Sequence, residues 1–379
     1  MTGTHEVIIL GAGSMGMAAG AFLAKQGVKV LLIDAFDPPH ANGSHHGDTR
    51  MIRHAYGEGS KYVPLVLRAQ ELWGELERET GKRLFEKTGV LGLGASDSQF
   101  LEEEIRSARE FSLPLEVLQA DEIEKRWPGI RVPESFIGAF EPASGLLYSE
   151  ECIRAYREQA VTHGAKLLMN TRAQAIEYHA DGVTVRTERG DYHADKLIVT
   201  AGAWTGSLLA ELSIPLQPIR KTVVWYEADE SLYGAGRFPS YFIDLPEERF
   251  YGFPSMQGSG LKIGSHDAGT PVDPDRVNRT FGDLESDEGS LAAVSQRFFP
   301  GVTGQLKNGQ VCMITWTPDH DFIIDHHPVH KHVLIISACS AHGFKFASAI
   351  GEMAMHLTLA GKTDFDIAPF SLGRFLQKK

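Results

Sequence analysis

The stretch Ser44-His45-His46-Gly47-Asp48-Thr49-Arg50-Met51-Ile52-Arg53-His54 gathers two arginines and three histidines around a glycine turn. Paired imidazoles bind metals when acidic or thiolate partners stand at ligand spacing; none does here, so no metal site is expected. A guanidinium keeps its charge and grips carboxylates through two parallel N–H bonds. Arg50 or Arg53 could therefore clamp an anionic substrate, against the commoner role of surface ion pairing. Lys262 lies in the alternating run Leu261-Lys262-Ile263-Gly264-Ser265-His266, on the side opposite Leu261 and Ile263, where a lysine ordinarily faces solvent. Cys312, within Gln310-Val311-Cys312-Met313, would ordinarily be a small buried hydrophobe. Lys345 stands in Phe344-Lys345-Phe346, beside His342-Gly343 at the start of the last helix. His326, His327, His330 and His332 read as a polar loop before a strand, and Glu102-Glu103-Glu104 as a solvated helix face.

A second chemistry is written near the start of the chain. The apolar run Val7-Ile8-Ile9-Leu10 is followed by Gly11-Ala12-Gly13-Ser14-Met15-Gly16, a helical stretch to Gln26, and a second apolar run ending at Asp34. In such a strand–turn–helix–strand unit Gly11 permits the sharp turn, Gly13 lets backbone approach a pyrophosphate, and Gly16 lets helix pack on strand. The helix N-terminus points free N–H groups at phosphates, and Asp34 is placed to accept from ribose hydroxyls. The unit implies a dinucleotide and leaves NAD and FAD open.

Elements of both periodicities position these residues. Tyr62 to Thr80 is predicted as a helix, as are Ser98–Phe111, a segment from an N-cap at Ser149 to Gly164, and one from about His342 to Ala360. Strands are predicted at 166–169, 173–178, 183–188, 194–200, 219–227, 240–244, 249–253, 261–266, 310–316 and 332–337. The strand to Thr200 ends in Ala201-Gly202-Ala203, small residues that again let backbone approach a flat or phosphorylated group. Nucleotide-type segments are thus N-terminal, central and C-terminal, an interleaving that suits an extended FAD touched by distant segments. At 379 residues, two domains are expected. A net charge of −12 without a basic tract argues against nucleic acid and anionic membranes as partners. No apolar run spans a bilayer, no basic segment precedes the first strand, and three dispersed cysteines form no disulfide framework, so the cytoplasm is the expected compartment.

Taken together, GAGSMG at 11–16, PPHANGSHHGDTRMIRHAYGEG at 38–59, YGFP at 251–254, GLKIGSH at 260–266, the Cys312 strand, DFIID at 321–325 and HGFKFAS at 342–348 resemble one group across essentially the whole chain. They resemble the monomeric sarcosine oxidase and N-methyltryptophan oxidase family of FAD amine oxidases, with a D-amino-acid-oxidase-like fold. The resemblance implies an α/β fold: an FAD-binding Rossmann-like domain (1–86, 146–216 and 318–379) interleaved with a mostly antiparallel substrate domain (87–145 and 217–317). It implies that Cys312 bonds the flavin 8α-methyl through sulfur, and that Arg53 and Lys345 bind the substrate carboxylate. Lys262 is implied in oxygen reduction, Arg50, His46 and Thr49 along the flavin ring, and Tyr251 and His266 in the substrate site. Gly11, Gly13, Ser14, Met15, Gly16, Asp34, Gly43, Ser44, His45, Gly202, Gly343 and Lys345 are implied contacts of the cofactor.

The implied reaction is oxidative demethylation of a small N-methyl amino acid by O2 in a monomer. Departures bear on the pocket: Ile314 stands where relatives carry tyrosine, Phe242 where sarcosine oxidase has methionine, and Ala338 and Ala341 where glycines are usual. Sarcosine is the first expectation and a bulkier N-methyl amino acid the second; an FAD dehydrogenase subunit passing electrons to a partner is the alternative of another class.

Overall fold

The computed structural model describes residues 5–375. Two sheets organise it. In the first, His5–Leu10 lies between the parallel strands Val30–Ile33 and Gly190–Val199, with Lys166–Leu168 beyond Val30–Ile33. Val333–Ser337 joins in parallel beside Gly190–Val199, and antiparallel Ala173–His179, Gly182–Thr187 and Ile323–His326 complete it. The central strands are apolar on both faces because both are covered, which is why they read as unbroken hydrophobic runs. Helices Ser14–Lys25, Ser149–Thr162 and Ala347–Ala360 pack together on one face. Three distant parts of the chain therefore build one layer.

The second sheet runs in the order Thr270–Pro271, Gln217–Ala228, Leu261–Ser265, Arg249–Phe253, Ser240–Asp244, Val90–Ala95, Phe136–Glu141, Glu116–Gln119, with Val302–Trp316 along Gln217–Ala228. All its pairings are antiparallel except that of Ser240–Asp244 with Val90–Ala95. Register places chemistry on one face. Lys262 is opposite Trp225 and Phe253, Tyr251 opposite Phe242 and Gly264, and Cys312 opposite Lys221. Because side chains alternate with period two, these residues share the face turned toward the first sheet's glycine turn, the face that lines the cavity described below. The short sheet of Thr49–Ile52, Gly145–Tyr148 and Phe85–Glu86 carries the arginine-rich stretch.

Several boundaries differ from the sequence reading. Ser149 is the first helical residue, not the cap; its hydroxyl donates to Glu150 at 2.7 Å and Tyr148 precedes the helix. The last helix begins at Ala347, after a 3-10 turn over Phe344–Phe346. The Cys312 strand starts at Val302, where its edge-strand residues are exposed and lack hydrophobic patterning.

The glycine turn depends on its first and last glycines. Gly11 has φ +92°, and a Cβ there would stand 2.4 Å from the Thr200 carbonyl oxygen. A Cβ on Gly16 would stand 1.9 Å from the carbonyl oxygen of Gly11. Gly16→Ala should therefore destabilise the protein by about 2 kcal/mol or more, read as a lowered Tm.

Candidate active site

A cavity of about 430 Å³ runs from the glycine turn to the face of the second sheet. At one end it is walled by Gly11, Gly13, Ser14, Met15, Asp34, Gly43, Ser44, His45 and Gly202. Asp34 accepts from the Ala12 N–H at 2.6 Å and the Phe36 N–H at 2.9 Å, so this carboxylate also fixes the turn it follows. At the other end stand Arg50, Arg53, Phe242, Tyr251, His266, Cys312, Ile314, Ala341, Gly343 and Lys345. Gly16, His46, Thr49 and Lys262 are not on the wall; they lie behind it or support it.

Lys262 is buried, not solvent-facing. Its ammonium donates to the Gly47 carbonyl, to the Thr49 carbonyl at 3.2 Å and to Thr49 Oγ1 at 3.1 Å, and it sits 4.9 Å from the ring centroids of both Trp225 and Phe253. With its donors committed, it acts on the cavity through its charge. Burial first, and then the charge of Arg50, brings its pKa down to about 7. Arg50 in turn donates to the carbonyls of Thr49 (2.8 Å), Ser44 (2.9 Å) and His46 (2.6 Å), which holds the whole stretch in its turn. Burial opposes ionisation of the Cys312 thiol, but its hydrogen bond with His46 and the charges of His46, Arg50 and Lys262 prevail and bring it to about 7.

Arg53 is buried against the rings of Tyr56 (4.4 Å), Phe242 (5.2 Å) and Phe100 (5.3 Å) and pairs with Glu58 at 2.5 Å. Burial would raise the Glu58 carboxyl, but the charges of Arg53, His342 and Lys345 hold it well below the usual range. Lys345 donates to Tyr56 Oη at 3.2 Å and the His342 carbonyl at 3.1 Å; burial, helped by the charge of Arg53, lowers it to about 7. Neither arginine is a surface ion-pair residue. His266 Nδ1 meets Asp267 at 3.0 Å while its Nε2 is buried without a partner. Ala341 holds φ +67°, a conformation glycine adopts more readily, so its methyl is retained at a backbone cost.

The model of the FAD dependent oxidoreductase family (DAO) matches residues 6–357. The chain is 55% identical over 376 residues to a monomeric sarcosine oxidase of Bacillus sp. (strain B-0618), covering 98% of this chain and 96% of the relative. It belongs to the FAD-dependent oxidoreductases. Within them it falls with the monomeric sarcosine oxidases and the N-methyl-L-tryptophan oxidases, of which that of Salmonella heidelberg (strain SL476) is 43% identical over 98% of this chain and 100% of its own. The fold is shared with the open form of NikD, described as an unusual amino acid oxidase essential for nikkomycin biosynthesis, at TM-score 0.86 and 23% identity over 98% of each chain.

The residues of this FAD-dependent oxidoreductase fit its cofactor. The glycine turn and helix N-terminus form a phosphate cradle, and at the far end His266 Nε2 lies on the wall and is buried without a protein partner, as a group awaiting a ligand is. Sequence reasoning missed Glu58, although it lies inside the quoted 38–59 stretch as an acid among cations. It also missed Phe100, whose helical position gave no sign of reaching Arg53.

Glu104 corrects the reading of 102–104 as a solvated face: it is fully buried, and neither carboxyl oxygen has a partner. The run sits on one helix, and only Glu104 turns inward, toward Gly92 and the Arg53 region. Burial raises its pKa well above 4.5, Glu141 and Glu58 adding to the shift and Arg53 opposing it. An acid kept neutral in the folded state stabilises it fully below its unfolded pKa and loses that stabilisation as pH rises through the folded pKa. Glu104→Gln should therefore raise Tm relative to the parent at pH 7, with the gain shrinking as pH falls toward 4.5; a gain independent of pH would show that Glu104 is ionised throughout.

Proposed function

We propose that this protein is a flavoprotein oxidase that demethylates N-methyl amino acids, sarcosine first: sarcosine, O2 and water give glycine, formaldehyde and H2O2. When bound, FAD supplies the redox chemistry, accepting a hydride from the N-methyl carbon and returning the electrons to O2. The observation that carries the reading is that one cavity brings Arg53 and Lys345 together with Tyr251, His266 and Cys312, with Lys262 buried behind its wall. Arg53 and Lys345 bind the substrate carboxylate, for which Glu58 must yield its place on Arg53. Neutral His266, its pKa lowered by burial, turns its free Nε2 to the substrate. The Ala341 carbonyl is offered to the substrate amine. The Lys262 cation favours negative charge developing beside the ring, the role a preorganised charge plays in a water-poor site; a dehydrogenase feeding a partner protein has no use for it.

A bulkier N-methyl amino acid is the second reading, supported by the edge-to-face pair of Phe100 and Phe242 (5.3 Å) that gives the cavity an aromatic wall. We further propose that the FAD-binding part comprises 1–86, 146–216 and 318–379 and the substrate part 87–145 and 217–317. The protein acts as a cytoplasmic monomer; no helix of the described residues is long and apolar enough to cross a membrane.

The direct test is anaerobic addition of sarcosine to the yellow protein, which should bleach it, followed by air, which should restore colour and release one H2O2 per formaldehyde. A protein whose colour no secondary amino acid discharges would overturn the proposal. Arg53→Ala should raise the KM for sarcosine about 10- to 100-fold, the worth of charge-assisted hydrogen bonds to a carboxylate. Flavin should be bonded to Cys312: incubating apoprotein with FAD should give a fluorescent band on denaturing gels, absent in Cys312→Ala, forming faster as pH rises through about 7 as the thiolate appears.

A further inference from the structure

The cavity has a second cationic end that one substrate carboxylate leaves idle. Lys221 faces Cys312 across the strand pair and so stands on the ring-facing side of the sheet; it lines the cavity and is 7% exposed. Its ammonium donates to the main-chain carbonyls of Ser265 (3.2 Å) and His266 and lies 5.1 Å from the Trp316 ring centroid. An ammonium has three N–H donors, so one remains. The acids nearby are engaged elsewhere. Asp267 is held by Arg249 at 2.7 and 3.1 Å and by His266, and Glu248 by the hydroxyls of Ser265 and Ser290. Neither acid reaches the cavity wall, whereas Arg249 does.

The two cationic ends are one side chain apart. Arg249 lies 5.0 Å and Arg53 5.3 Å from the centroid of the same Phe100 ring. Burying a cation without a counter-ion is costly, and a ligand anion is the group that offsets it. Burial, opposed mainly by the charge of Asp267, brings the Lys221 pKa down to about 8, so the group is largely charged at neutral pH and an arriving anion would hold it so. A negatively charged protein that gathers Arg50, Arg53, Lys221, Arg249 and Lys345 around the substrate end of this cavity, against Glu58 on the wall and Asp267 behind it, is complementary to more than one negative group.

We propose that Lys221 and Arg249 form a second carboxylate subsite, and that the cavity favours N-methyl amino acids whose side chain itself ends in a carboxylate. The inference rests on the reading of this cavity as an N-methyl amino acid site. Arg53 and Lys345 take the α-carboxylate, and the side chain extends past Phe100 toward Lys221.

The test compares kcat/KM of the holoenzyme for N-methyl-L-glutamate with that for its neutral isostere N-methyl-L-glutamine, with N-methyl-L-aspartate as the shorter acid and sarcosine as reference. One or both acids should be preferred over the glutamine compound by about tenfold or more. Lys221→Met should bring that ratio close to one, and Lys221→Arg should keep it. Calorimetric Kd values for glutarate against butyrate, which undergo no turnover, should show the same preference and the same loss. Oxidation of sarcosine with no preference for either acid overturns the subsite and leaves the oxidase reading standing. A preference that survives in both Lys221→Met and Lys221→Gln overturns the assignment to Lys221. Failure to oxidise any of these compounds overturns the oxidase reading on which the subsite rests.

Discussion

The buried ammonium of Lys262 ties the two halves of the molecule together. It rises from a strand of the second sheet, is boxed by Trp225 and Phe253, and is bonded to Gly47 and Thr49 of the arginine-rich turn. That turn belongs to the short sheet beside the nucleotide layer, so one cation fixes how far the ring-facing sheet stands from the glycine turn. The arrangement is expensive. A buried lysine next to Arg50 loses hydration and meets like charge, and its pKa falls accordingly. Such a group is tolerable where a negative partner arrives, and a reduced flavin or an oxygen species accepting electrons is such a partner.

The same logic runs through the rest of the site. Arg53 is neutralised by Glu58, and Lys345 donates to a tyrosine hydroxyl and a carbonyl. Glu104 lies buried behind them, and that burial holds its carboxyl well above the usual range, so it adds little negative charge beside Glu58. On a chain carrying −12, the cavity is a local positive region walled by aromatic rings, which sharpen each charge by excluding water.

The nucleotide layer was legible because its signals are local. Gly11, Gly13 and Gly16 at fixed spacing, an apolar strand on either side and Asp34 at the second strand's end are all determined by neighbours within about thirty positions. The alternation around Lys262 correctly put it opposite Leu261 and Ile263. It could not say that both faces of that strand are covered, since burial of the second face comes from Trp225, Phe253 and the turn at Gly47. Glu104 failed for the same reason: its run has the composition of a wet helix face, and the helix rotates only the last of three acids inward. Lys221 and Arg249 carry no motif; register across three strands brings them to the cavity.

Lys262→Met tests the central claim, that the buried Lys262 ammonium serves the oxygen half of the reaction and is no surface lysine. Stopped-flow absorbance would follow anaerobic bleaching by sarcosine and, separately, recolouring on mixing with O2. Bleaching should change by no more than a few-fold, while recolouring should slow by about 100-fold or more, the effect expected from removing one preorganised charge at a site of developing charge. Equal slowing of both steps, or recolouring at the parent rate, would contradict the account.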